Sequence, residues 1–164
     1  MTKVQFSEEA YKKIDELMKR FPEGKHKSAL IETLFIAQKE SGGWLSSAVM
    51  DHVAEIMGLL PVEVYEVATF YTMFNLEPVG KHVFHVCQTG PCMVVGSDNI
   101  IEYIQKKLNI KDGETTEDGL FTLKLVECLG ACGYGPVMKL EDHYQEHLTP
   151  ERIDEIVEKL KNQA

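Results

Sequence analysis

The chain has 164 residues, 44% hydrophobic and 26% charged, which suits one folded domain or two small ones and is too apolar for a disordered chain. Seventeen basic against 26 acidic residues leave a net charge of −9, which argues against binding a nucleic acid or anionic lipid, since both need clustered Lys and Arg. No apolar run approaches the ~20 residues of a membrane helix, and the opening Met1-Thr2-Lys3-Val4-Gln5-Phe6-Ser7 lacks the apolar stretch of a secretory signal, so a soluble intracellular chain without direct membrane insertion is expected.

Residues 1–78 read as helical. Ser7 is placed to cap a first helix whose opening turn carries Glu8 and Glu9, the favoured sign at that end, and Ala10, Tyr11, Ile14, Leu17, Met18 and Phe21 recur at helical spacing. Ser28 opens a second helix, in which Leu30, Ile31, Leu34, Phe35 and Ala37 nearly encircle the axis and predict burial all round. Ser41-Gly42-Gly43 breaks it. A third helix runs from about Ser47, striped by Val49, Val53, Ile56 and Met57, and Gly58 closes it. Val62 to Phe70 is rich in β-branched residues, yet it follows Pro61 at a helix-start position and two short helices, and a helix is expected. Asn75 to Gly80 marks a hinge between two parts.

From Lys81 the texture changes. Val83, Phe84 and Val86 make a short strand ending at Cys87, and Ser97 caps a helix with Ile100, Ile101, Ile104 and Leu108 on one face. Residues 109–119 form a polar loop. Phe121, Leu123 and Leu125 belong to a half-buried strand that delivers Cys128, Val137 to Leu140 is a third strand, and a fourth is expected near Gln145 to Leu148. Thr149 and Pro150 start a last helix with Ile153, Ile156, Val157 and Leu160 inward. Both cysteine loops then follow strands and can leave one end of a small sheet together.

All four cysteines lie between Cys87 and Cys132, as a Cys-x4-Cys pair (Cys87, Cys92) and a Cys-x3-Cys pair (Cys128, Cys132). In a reducing compartment such pairs bind metal or do redox chemistry more often than they form disulfides. Neither pair is the tight knuckle of a zinc ribbon, although the spacing does not forbid zinc. Four thiolates also hold a [2Fe–2S] cluster, one pair per iron. The surroundings favour that larger group: Gly90, Gly130, Gly133 and Gly135 let backbone N–H groups approach sulfur, and Met93, Val94, Leu129 and Val137 are placed to shield it.

Cys-x4-Cys, 34 residues, then Glu127-Cys128-Leu129-Gly130-Ala131-Cys132 with Pro136 four residues on resembles the peripheral [2Fe–2S] subunits of NADH:quinone oxidoreductase, respiratory complex I. Gly43-Trp44-Leu45-Ser46, Val67-Ala68-Thr69-Phe70-Tyr71-Thr72-Met73-Phe74 and Glu114-Thr115-Thr116 with Asp118-Gly119 carry the resemblance from about Ser28 to Leu160. It implies an α+β chain: a partner-docking helical bundle over 1–78, then a thioredoxin-like α/β domain over 79–164 whose cluster is ligated by Cys87, Cys92, Cys128 and Cys132. It implies an electron-carrying subunit without a catalytic residue of its own, docked among other peripheral-arm subunits on a flavoprotein that binds FMN and NADH. The place implied is cytoplasmic, held at the inner membrane through the assembled complex. Met93-Val94-Val95 and Gly133-Tyr134-Gly135 depart from the family's more usual residues.

The same kind of subunit serves NAD-linked hydrogenases and formate dehydrogenases, and a zinc-stabilised protein-interaction module is the alternative from another class. No Gly-x-Gly-x-x-Gly turn follows a strand, so no NADH site is expected in this chain. Glu127 adjoins Cys128; a carboxylate turned toward a cluster at ~6 Å, with an effective dielectric of ~20, would disfavour an added electron by roughly 3 kcal/mol, about 120 mV. His82 and His85 fall on opposite faces of their strand and read as ordinary strand histidines. Asp142, His143 and His147 would suit a metal only on a helix, and their segment reads as turn and strand. Trp44 reads as a helix-packing residue, and Met50, Met57 and Met73 as core fillers.

Overall fold

The computed structural model describes residues 4–163; Met1, Thr2 and Lys3, part of the opening read as lacking a secretory signal, and Ala164 lie outside them. The chain divides into two compact units, Met1–Pro78 and Val79–Ala164. Each has its own apolar core. Among the described residues no helix is long and apolar enough to cross a membrane.

The first unit is built from four helices. Helix α1 (Glu8–Met18) is capped as expected, the Ser7 hydroxyl accepting the Ala10 N–H at 3.2 Å. Ser28 does not cap the second helix. It lies in a 3-10 turn, His26–Ala29, that runs straight into α2 (Leu30–Glu40) without a side-chain cap. Nor is α2 buried all round: Leu30, Thr33, Leu34 and Ala37 face inward, whereas Phe35 is 40% exposed, its ring 5.0 Å from that of Phe74. Helix α3 (Ser47–Met57) is capped by Ser46 and ends at Gly58, whose φ of 62° is the left-handed conformation a helix stop needs. Helix α4 (Pro61–Phe70) confirms helix over strand for the β-branched run. Pro61 fixes its start, and the Glu63 carboxylate accepts the Leu60 N–H at 3.0 Å. Ile14, Leu34, Leu45, Val53 and Val64 form the centre of the core, with Met50 and Met57 buried beside them and Met73 partly so.

Both ends of the expected hinge are fixed. Asn75 is buried, donates to Gly43 O at 2.7 Å through Nδ2 and receives the Leu45 N–H on its carbonyl at 2.7 Å, so it belongs to the first unit. Gly80 is buried in the second, its N–H 2.6 Å from the Thr122 hydroxyl.

The second unit contains a four-stranded sheet ordered β2-β1-β3-β4, from β1 (His82–Cys87), β2 (Phe121–Val126), β3 (Met138–Leu140) and β4 (His143–Gln145). β1 and β2 are parallel, linked by a crossover containing a short helix, α5 (Gly90–Val94), and a longer one, α6 (Ser97–Leu108). The remaining pairs are antiparallel. Helix α7 (Pro150–Lys161) follows Thr149, whose hydroxyl accepts the Arg152 N–H. Phe84, Ile104, Phe121, Leu123, Met138 and Ile153 are fully buried in the core that α6 and α7 share with the sheet. Gly96, at φ 95°, holds the cap position of α6; Ser97 is its first residue and is buried instead of capping. The fourth strand lies two residues earlier than expected, because the chain turns back at His147 (φ 48°). There His147 N–H bonds Tyr134 O and Leu148 N–H bonds Pro136 O, each at 2.9 Å. The polar 109–119 loop runs along the free edge of β2: Gly113 N–H reaches Leu123 O, and Thr116 N–H reaches Phe121 O. That pairing closes an edge otherwise open to association.

Candidate metal centre

Two parallel strands in register send their chains out at the same end of a sheet. Cys87 pairs with Val126 across β1 and β2, so the loop after Cys87 and the loop after Val126 start side by side. Three bonds stitch them: Gln88 N–H to Val126 O at 3.0 Å, Cys87 N–H to Val137 O at 3.1 Å, and the Cys87 thiol to Glu127 O at 3.3 Å. Cys128 follows Glu127 directly, and Cys132 opens a 3-10 turn, Cys132–Tyr134. Cys92 sits in α5, a helix that sequence reasoning missed because Gly90 and Pro91 read as loop.

The four cysteines are unbridged. Cys87 and Cys92 are buried, each 1% exposed, while Cys128 and Cys132 are exposed. The cysteines thus form a sheltered pair and an open pair. Among the described residues no three or more His, Cys, Asp or Glu side chains close around a single ion. Two thiolates from each loop give the number of donors that a two-iron cluster takes.

Electrostatics link the two loops. Burial pushes the Cys92 thiol up to about 11, reinforced by its hydrogen bond with Cys87 and by the negative charges of Cys87 and Cys132. Burial also acts against ionisation of Cys87, but hydrogen bonds from the Thr89 hydroxyl and amide, the Cys92 thiol and the Leu129 amide outweigh it and hold Cys87 below the usual thiol range. Cys87 and Cys92 thus oppose each other's ionisation, since the Cys87 thiolate raises Cys92, and bound cationic iron would remove that conflict. Thr89 Oγ1 stands 3.2 Å from Cys87 Sγ, and Gly130 directs its N–H at Cys128 Sγ at 3.4 Å. Gly130 does so from φ 72°, a conformation that needs glycine. The donor chemistry and these N–H and O–H groups fit an anionic iron–sulfur group.

The expected shield is only half right. Val137 is fully buried against Cys87 and Cys92, with Leu129 partly buried beside it. Met93 and Val94 turn away from the sulfurs into solvent, at 48% and 87% exposure, because α5 is a single turn that points them outward. Tyr144 was not foreseen: its hydroxyl donates to Leu129 O at 2.7 Å and pins the loop of the exposed pair. Glu127 is exposed, so its carboxylate is solvated.

The histidines stay outside the centre. His82 is buried, with Nδ1 3.0 Å from Glu141 Oε1. His85, on the opposite face, is pushed down to about 4 by burial and by the charges of Lys124 and Lys139 on the flanking strands. His143 lies in β4, and His147 packs its ring 6.0 Å from Tyr134. Trp44 is half-buried.

Comparison with known proteins places residues 14–161 within the thioredoxin-like [2Fe-2S] ferredoxin family. An NADH-quinone oxidoreductase subunit from Rickettsia bellii is 43% identical over 162 residues, covering 99% of this chain and 97% of that protein. NADH dehydrogenase [ubiquinone] flavoprotein 2 of Dictyostelium discoideum is 43% identical over 161 residues, covering 98% of this chain and 65% of that protein. Among solved structures, an NAD+-reducing [NiFe]-hydrogenase in the H2-reduced state superposes with a TM-score of 0.72 at 20% identity. That match covers 83% of this chain but 22% of the hydrogenase chain, and the likeness is one of fold.

Proposed function

We propose, because this chain belongs to the thioredoxin-like [2Fe–2S] ferredoxin family, that it is the electron-carrying subunit of an NADH–quinone oxidoreductase, with one [2Fe–2S] cluster on Cys87, Cys92, Cys128 and Cys132. The observation that supports this reading is a coincidence: similarity at 43% identity along 99% of the chain to a subunit of that enzyme, and two cysteine-bearing loops that start side by side from parallel strands. The bound cluster supplies one-electron storage. The chain's own groups do the rest. Cys87 and Cys92 anchor the group on its sheltered side, and the Thr89 hydroxyl and Gly130 N–H donate to sulfur, which favours the more negative state. The exposed pair leaves one side open to a partner.

That partner is a flavoprotein subunit that binds FMN and NADH, within a complex that holds the chain at the cytoplasmic face of the inner membrane. Residues 1–78 serve as the docking unit and residues 79–164 as the redox unit. Leu60, Val62 and Phe70 support the docking role: they are 65%, 55% and 76% exposed at the two ends of α4, more apolar surface than one short helix ordinarily leaves bare.

Co-purification tests this. The chain should be recovered with a flavoprotein, red-brown, with two irons and two labile sulfides per chain and an EPR signal on reduction. A colourless, zinc-containing protein overturns the cofactor; recovery with hydrogenase or formate dehydrogenase subunits overturns the host. Because Glu127 is solvated, Glu127→Gln should raise the reduction potential by no more than about 30 mV, the value for ~6 Å in a water-like dielectric. A shift near the ~120 mV of a shielded carboxylate, read by redox titration, would show that the side chain turns inward.

A further inference from the structure

Gly135 has φ −66° and ψ 158°, the extended conformation favoured by any residue before a proline, so its backbone makes no demand for glycine. The space around it does. A methyl group built there would stand 2.9 Å from Val95 Cγ2, 3.5 Å from Cys92 Sγ and 3.7 Å from Cys92 Cα. The first distance is well inside van der Waals contact, and Val95 is β-branched and stiff at χ1. Gly90, Gly130 and Gly133, the other glycines of the two cysteine loops, have nothing within 4 Å of such a group. The tight fit is therefore local to one spot, and that spot adjoins a candidate ligand.

Val95 is the residue that caps α5, three positions after Cys92. Val95 is half exposed, yet one methyl reaches across to the loop of the other cysteine pair. Hydrogen bonds stitch the two loops at the strand ends, around Cys87, and the Val137 amide also bonds the Cys92 thiol. On the far side, where Cys92 sits, Val95 against Gly135 bridges the same gap by packing.

We propose that Val95, seated in the space left by Gly135, is a positioning clasp that fixes the separation of the two cysteine loops and keeps water from Cys92. The role rests on the assignment of the four cysteines as ligands. The clasp itself touches no iron.

The test compares the full-length protein with Val95→Ala, Gly135→Ala and the double variant in two assays. One follows bleaching of the cluster by an iron chelator. The other follows alkylation of each cysteine by iodoacetamide in the metal-free chain, resolved by peptide mass spectrometry. Gly135→Ala should raise the bleaching rate and the Cys92 alkylation rate about tenfold, as overpacking shifts the loop toward its opened form. Val95→Ala should raise both by uncovering Cys92. The double variant should be no faster than Val95→Ala alone, because the added methyl then fills the vacated space. Cys87 alkylation should stay unchanged throughout, since general loosening would expose both buried thiols together.

Unchanged Cys92 alkylation in Val95→Ala overturns the clasp even if Gly135→Ala fails to fold. So does a double variant whose rate is the product of the two single effects. A wild-type protein without iron overturns the ligand assignment instead, and the alkylation series on the metal-free chain still decides the clasp.

Discussion

Cys92→Ala should leave the chain without iron and with a reduced soluble yield, the largest effect expected of any single substitution at the centre. Cys92 is one of the two buried sulfurs, so no solvent ligand can take its place without entering a site that is 1% exposed. Loss of one of four thiolates leaves an iron incompletely held, and because ligation is coupled to folding, the stabilisation from the bound group goes with it. Cys128→Ala makes the informative comparison. It too should lose iron, but Cys128 is exposed, and its truncation gives up only the solvent-exposed Gly130 N–H contact to sulfur. Thermal melts of the metal-free chains should therefore separate the two. Cys128→Ala should melt with the wild type, and Cys92→Ala should melt lower by the few degrees that ~1 kcal/mol produces in a unit of this size. Iron and sulfide assays on purified protein check the first half. A variant of either kind that kept its full iron would remove that cysteine from the ligand set.

Most of this centre can be read from the sequence because its geometry follows from local patterns. Val83, Phe84 and Val86 specify a strand ending at Cys87, and Phe121, Leu123 and Leu125 specify one ending shortly before Cys128. Once both strands are parallel neighbours, their loops must meet. What the sequence hides are groups whose role depends on packing between distant segments. Tyr144 reaches Leu129 only because the sheet order sets β4 beside β3, and nothing in its local pattern signals this. Met93 and Val94 look like shielding residues until the single turn of α5 fixes which way they point. Gly135 looks like one more flexible glycine, whereas its angles are ordinary and its smallness is the constraint. The helical half shows the opposite balance. Ser7 and Pro61 mark helix starts by their own chemistry. Ser28 misleads, because a 3-10 turn entering α2 directly leaves no cap position for it. Asn75 reads as linker by composition and is instead a buried hydrogen-bonding residue, a role set by partners more than 30 positions away.

Phe84→Ala should destabilise the second unit by about 3–5 kcal/mol, the usual range for emptying a buried phenylalanine site. Phe84 is fully buried on β1, a strand paired on both sides, opposite Leu123 of β2 and Leu140 of β3. Its ring lies 5.4 Å from Phe121, tilted by 59°, so the truncation removes an aromatic pair as well as buried area. Strands on both sides hold the backbone in place, and the cavity cannot collapse cheaply. Against a total of about 5–15 kcal/mol for a domain, this is a large share. The consequence reaches the centre through the chain itself, since Cys87 ends the same strand three residues on. Val83→Ala is the control: Val83 is half-buried on the opposite face of β1, and its truncation should cost much less. Urea titration followed by bleaching of the visible absorption reads the second unit directly, whereas fluorescence of Trp44, the single tryptophan, reads the first. The bleaching midpoint should fall sharply in Phe84→Ala and little in Val83→Ala. Equal midpoints for the two variants would mean that the α6–α7 face of the sheet is not the core on which the cysteine loops depend.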